Sequence, residues 1–194
     1  MNRQAKIIQE MSDREILLNL YITQTIMLVL AIVLGFFWID DMSTFFEMFK
    51  WDPIQILFIG GGIAITVIII DLLFDLYLPK EWTDDGGINE RVFAKRNVFH
   101  IFLIALIVSV SEEILFRGIL QTQIGLILAS LLFALIHFRY LSKPLLFTMA
   151  VVLSFVLGLL FELTNNLLVP IFTHFLIDFV LGLYIMIRAR KNNT

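Results

Sequence analysis

The chain has 194 residues, 59% of them hydrophobic and 16% charged, with a formal net charge of -3 and a mean hydropathy of +0.91. Soluble domains average about 45–50% apolar and about 25% charged residues, so this composition belongs to an integral membrane protein. The mild charge gives nucleic-acid binding no electrostatic support, and the absence of cysteine excludes disulfides, thiolate chemistry and thiolate metal sites.

Six apolar segments meet or approach the length of about 17–25 residues that crosses a bilayer. They run from about Ile16 to Ile39, Ile54 to Leu78, Val98 to Gln121, Ile124 to Phe138, Leu145 to Leu163 and Leu167 to Ile187, the fourth being short. The first is too long for a signal peptide and lacks a small-residue cleavage site, so it reads as a retained span. Loops are short except Pro79 to Asn97, which is polar and reads equally as an interfacial amphipathic helix or a solvated loop. With six spans, all of the 14 basic residues except Lys50 and Arg117 fall on one side. The positive-inside rule then makes both termini cytoplasmic. No Ser/Gly/Pro-rich linker, long-period repeat or heptad run divides the chain. The expected fold is an all-α, polytopic transmembrane helical bundle of about six spans.

Polar groups inside these spans need a reason. Glu112, Glu113 and Arg117 lie in the third, where an ionised side chain at mid-bilayer costs roughly 2.5–3.5 kcal/mol on translocon scales. Arg117 stands one helical turn after Glu113, so that acid is expected to be neutralised by an ion pair. Glu112 is rotated by about 100° and shares that partner less easily. This leaves one carboxylate in a low-dielectric setting, as proton-transfer chemistry requires. His137 closes the run Phe133-Ala-Leu-Ile-His137 in the fourth segment. His174 and Asp178, four residues apart in the last, share a helical face. A carboxylate beside an imidazole holds one tautomer, which suits a donor to an oxyanion or a general acid. Each group also has a structural reading: Glu113 with Arg117 as a packing ion pair, His137 as a helix-end residue, His174 with Asp178 as an interhelical clamp. The fifth segment offers only Glu162 at its end.

Taken in order, Glu112-Glu113-Ile-Leu-Phe-Arg117, Phe133-Ala-Leu-Ile-His137 and His174-Phe-Leu-Ile-Asp178 resemble the Glu-Glu-x-x-x-Arg, Phe-x-x-x-His and His-x-x-x-Asn/Asp motifs of the CPBP family. That family comprises type II CAAX prenyl endopeptidases and bacteriocin-processing enzymes, and is also called Abi. The resemblance covers roughly residues 98–187, and the first two spans carry no signature of it. It divides the chain into residues 1–97, an N-terminal cytoplasmic tail with two spans and a polar loop, and residues 98–194, a four-span catalytic core with a short tail. It implies an intramembrane glutamate peptidase in a bacterial cell membrane. Glu112 would be the general base toward water, and His137 would position that water. His174 and Asp178 would stabilise the oxyanion, with Glu113 and Arg117 supporting the site. Asp178 stands where the eukaryotic prenyl proteases have Asn, so it must orient His174 or carry a proton itself.

The resemblance implies no metal and no other cofactor. The same side chains nonetheless form a two-histidine, one-acid set, Glu112, His137 and His174, that suits zinc with a fourth position for water. Against zinc, the His-Glu-x-x-His signature of zinc peptidases is absent. Expected partners are the lipid bilayer and a membrane protein or peptide substrate, and nothing in the sequence marks an oligomeric state. The competing function is a non-catalytic membrane protein, either an immunity factor or scaffold, or a carrier using the acids as a proton site.

Other polar or flexible positions read as structural. Asp71 and Asp75 sit near one end of the second span, where carboxylates reach water, and they also suit the lining of a path. Gly60-Gly61-Gly62 permits close helix approach or a kink. His100 reads as interfacial, and Asn165-Asn166 as a turn and cap into the last span. Glu112 lies about 20 Å along its span, whereas His137 is near the end of its own. The two meet only if the third span tilts or begins outside the hydrocarbon, which predicts a site in the cytoplasmic half.

Overall fold

The computed structural model describes residues 10–192 and contains no strand among them. Helix α1 (Asp13–Trp38) opens on a capping box, with Glu15 N donating to Ser12 Oγ and Ser12 N donating back to the Glu15 carboxylate. A short α2 (Met42–Phe46) leads to α3 (Ile54–Tyr77), whose first seven residues, Ile54–Gly60, are π-wound. The polar connection holds α4 (Lys80–Thr83) and α5 (Ile88–Phe93). Then come α6 (Val98–Glu113), π-wound onward through Ile114–Gln121, and α7 (Thr122–Ile136). Two long helices, α8 (Pro144–Thr164) and α9 (Leu168–Asn192), finish the bundle.

Five helices are long and apolar enough to cross a membrane: Asp13–Trp38, Ile54–Tyr77, Val98–Ile136, Pro144–Thr164 and Leu168–Lys191. The protein is therefore a multi-pass, all-α membrane bundle. Large apolar side chains such as Phe36, Phe58 and Ile32 point outward, the reverse of a soluble fold.

The 39-residue helix is not straight. Gly125 adopts φ 79°, ψ 167°, outside the helical region and open to glycine at no steric cost. Phe116 and Phe133 would stand about 25 Å apart on one straight helix, yet their rings meet edge-on at 5.1 Å. The chain thus doubles back at Gly125, and α7 is the returning arm. Its 15 residues span about 22 Å, less than a bilayer core of about 30 Å. The expected short fourth segment is this arm, and the about six expected spans are five long helices, one of them a hairpin.

Tertiary contacts sort the loops into two ends. At one end Arg91 pairs with Asp13, Lys143 Nζ donates to the Glu81 carbonyl and Arg190 donates to the Arg96 carbonyl. At the other, Leu167 N donates to Met48 O, Asn166 Nδ2 to Lys50 O and Gln123 Nε2 to Trp38 O. Residue 10 and residue 192 both lie at the first end, with the basic residues of the described chain other than Lys50 and Arg117; Arg3 and Lys6 lie outside the described residues.

The polar connection is part helix and part loop. Ile88 and Val92 of α5 are buried against Ile16 and Ile104. Asp84 and Asp85 carboxylates accept from the Gly86, Gly87, Ile88 and Asn89 backbone amides, which fixes the turn before it. Gly60 serves close approach: a Cβ there would meet Thr173 Oγ1 at 2.9 Å and Val169 O at 3.2 Å of α9. Asn165 takes the left-handed conformation after α8, and Asn166 caps α9 by accepting from Leu168 N at 3.1 Å. His100, in the first turn of α6, meets Tyr21 OH at 2.8 Å.

Candidate active site

The two neighbouring acids of α6 have different surroundings. Glu113 is fully buried, and its Oε2 accepts from Arg117 Nε at 3.1 Å, the pairing expected from helical periodicity. Arg117 is itself fully buried and lies with its guanidinium over the Phe133 ring at 5.1 Å. Its Nη2 donates to Ser154 Oγ at 3.0 Å and its Nη1 to Ser130 Oγ at 3.4 Å. Gly158 lets α8 approach closely here, since a Cβ there would stand 2.8 Å from Gln121 Oε1 and 3.2 Å from Arg117 Nη1. A charge taken out of water in this way must be met by several hydrogen bonds, and these serines supply them. Helix α8 therefore contributes more than Glu162, which is exposed. Ser130 and Ser154 give no sequence signal, because isolated hydroxyls are ordinary in apolar helices.

Glu113 has a second partner. His174 Nδ1 donates to its Oε1 at 2.9 Å, joining α6 to α9. The other ring nitrogen, Nε2, faces Asp178 Oδ2 at 3.6 Å. The expected His174–Asp178 adjacency is present, but the closer acid to His174 is Glu113. His174 is thus held between two carboxylates from two helices.

Glu112 turns away from Arg117. Its Oε1 accepts from Gln24 Nε2 at 3.0 Å, and its buried Oε2 has no protein partner among the described residues. Gln24 lies on α1, which carries no motif, and its only sequence signal is an amide inside an apolar span. Ser111 Oγ donates to Gln24 Oε1 at 2.5 Å.

His137 ends α7. Its Nδ1 donates to the Phe133 carbonyl at 2.9 Å, which fixes the proton on that nitrogen and leaves Nε2 for other partners. Phe133 touches both imidazoles, with ring centroids 4.9 Å from His137 and 6.2 Å from His174.

Glu112, His137, His174 and Asp178 all line one cavity of about 1010 Å³. It extends to Lys80, Arg139 and Arg188, so its mouth lies at the basic end of the bundle. Asp71 and Asp75 line it too, Asp75 being held by Arg188 at 2.7 Å and Tyr184 at 2.8 Å. Near the mouth, burial pushes the Tyr140 phenol up, so it stays protonated beside Arg139. The doubled-back α7 sets Phe133 against both imidazoles, and Glu112 and His137 line the same cavity. Among the described residues no three His, Cys, Asp or Glu side chains gather closely enough to hold a metal ion.

Residues 94–180 match the family described as type II CAAX prenyl endopeptidase, Rce1-like. The chain is also 44% identical over 158 residues to the uncharacterized protein YpbD of Bacillus subtilis (strain 168), covering 81% of this chain and 84% of YpbD. The chain belongs to the Rce1-like family. No solved structure matches it. All three motifs fall within the residues matched to the Rce1-like family, whereas Gln24 and the first two long helices fall outside them. Membership of the Rce1-like family supports a CAAX-type intramembrane protease.

Proposed function

We propose that this protein is an intramembrane glutamate endopeptidase of a bacterial cell membrane that hydrolyses membrane-associated proteins or peptides without a metal. The observation that carries the reading is the unequal state of the two acids. Glu113 is consumed by Arg117 and His174, while Glu112, a residue lining the cavity, has one oxygen held by Gln24 and the other buried without a protein partner among the described residues. A general base needs such an oxygen, and peptide hydrolysis also needs a positioned water and an oxyanion partner.

In the proposed reaction Glu112 Oε2 takes a proton from water as the water oxygen bonds to the peptide carbonyl carbon. His137, with its proton fixed on Nδ1, offers Nε2 to orient that water. His174, protonated on both ring nitrogens between Glu113 and Asp178, donates from Nε2 to the developing oxyanion. Collapse of the tetrahedral species breaks the carbon–nitrogen bond, and the proton held by Glu112 passes to the leaving amine. Arg117 and Glu113 hold the shape of the site.

The experiment compares new protein N-termini in membranes of cells producing the wild-type chain or Glu112→Gln. The reading predicts N-termini that arise only with the wild type. Identical sets would favour a non-catalytic immunity or scaffold role, or a proton-coupled carrier.

A further inference from the structure

We propose that Gln24, on α1, is a positioning residue for Glu112 that selects which carboxylate oxygen remains free to accept the water proton. The inference rests on the peptidase reading above. Gln24 is 5% exposed, and its amide bridges two consecutive residues of α6. Nε2 donates to Glu112 Oε1 at 3.0 Å, and Oε1 accepts from the Ser111 hydroxyl at 2.5 Å. A carboxylate only accepts, so the amide must turn its NH2 group toward Glu112. The single hydroxyl proton of Ser111 is then shared between the amide oxygen and the Ile107 carbonyl at 2.6 Å. Reversing the amide would set two acceptor oxygens against each other in a low-dielectric interior.

The result is a carboxylate with one oxygen engaged and a fixed plane. Only Oε2 is left without a protein partner among the described residues. A base free to rotate would spread its lone pairs over several directions, and fixing them contributes through orientation. Helix docking does not depend on this contact. Met27 and Ala31 of α1 pack with Leu115 and Phe116, and Ile16 packs with Ile104. A near-isosteric apolar side chain at position 24 therefore keeps the α1–α6 packing and removes only the hydrogen bonds.

The test uses the full chain in nanodiscs with a quenched fluorescent single-span peptide that the wild type cleaves. Gln24→Met is expected to lower kcat by about 10- to 100-fold, the scale of a hydrogen bond to a charged group, with KM unchanged within about twofold. Ser111→Ala is expected to lower kcat less, and the double variant to be no slower than Gln24→Met, because both act through one amide. Should Gln24→Met lose its fold, Ser111→Ala carries the same kcat-against-KM test. Wild-type kcat in Gln24→Met, a loss confined to KM, or losses that multiply in the double variant would overturn the inference. Full turnover by Glu112→Gln would instead overturn the underlying peptidase reading.

Discussion

Glu113 Oε1 and His174 Nδ1 lie 2.9 Å apart across 61 residues of chain, and this contact ties the third long helix to the last. Because the other oxygen of Glu113 holds Arg117, one buried carboxylate organises a cation from its own helix and an imidazole from another. The neighbouring Glu112 is thereby left to the cavity.

The two acids should separate in stability. Glu113→Gln leaves the fully buried Arg117 without its counter-charge, and breaking a buried pair costs about 3–5 kcal/mol. Glu112→Gln keeps an amide oxygen for Gln24 and should cost about 1 kcal/mol or less. Thermal unfolding of the two variants in detergent checks this. Equal losses would contradict the division of roles.

Arg117 is supported by Ser154 at 3.0 Å more closely than by Ser130 at 3.4 Å. Ser154→Ala should therefore destabilise by about 1.5–3 kcal/mol, the range for hydrogen bonds to charged groups, and Ser130→Ala by less. Denaturation of both variants under one set of conditions measures the order, and a larger effect at Ser130 would contradict it.

The glycine triplet should respond unevenly. Gly60→Ala drives a methyl to 2.9 Å from Thr173 Oγ1 and 3.2 Å from the Val169 carbonyl, an overpacking that costs about 1–3 kcal/mol. Gly62→Ala meets nothing within 4 Å and should be neutral or stabilising by about 0.5–1 kcal/mol through helix propensity. Melting temperatures that move together would contradict the close α3–α9 approach at Gly60.

The proposed route draws its base and oxyanion partner from side chains alone. Exhaustive chelation should leave peptide cleavage unchanged within error. Loss of cleavage that added zinc restores would show that metal chemistry operates at these residues instead.

Helical periodicity made part of this site legible in the sequence. Glu113 with Arg117 and His174 with Asp178 are four apart, and a regular helix sets such pairs on one face whatever the tertiary structure. The sharing of Glu113 with His174 was not legible, because it depends on how α9 docks against α6. Hydropathy found the apolar stretch before and after Gly125, but it is blind to direction and counts a short returning arm as a span. The π winding of Ile114–Gln121 changes the hydrogen-bond spacing by one residue, which the sequence of so short a segment does not reveal. Gln24 had only its polarity to mark it, and α1 carries no motif to make that polarity stand out.

The most direct test of the central claim is cleavage of a single-span peptide in water enriched in oxygen-18, with the wild type and Glu112→Gln compared by mass spectrometry. If Glu112 activates water for direct attack, the wild type places one heavy oxygen in each new C-terminal carboxylate, and the folded Glu112→Gln protein releases no product. Equal labelled product from Glu112→Gln would contradict it.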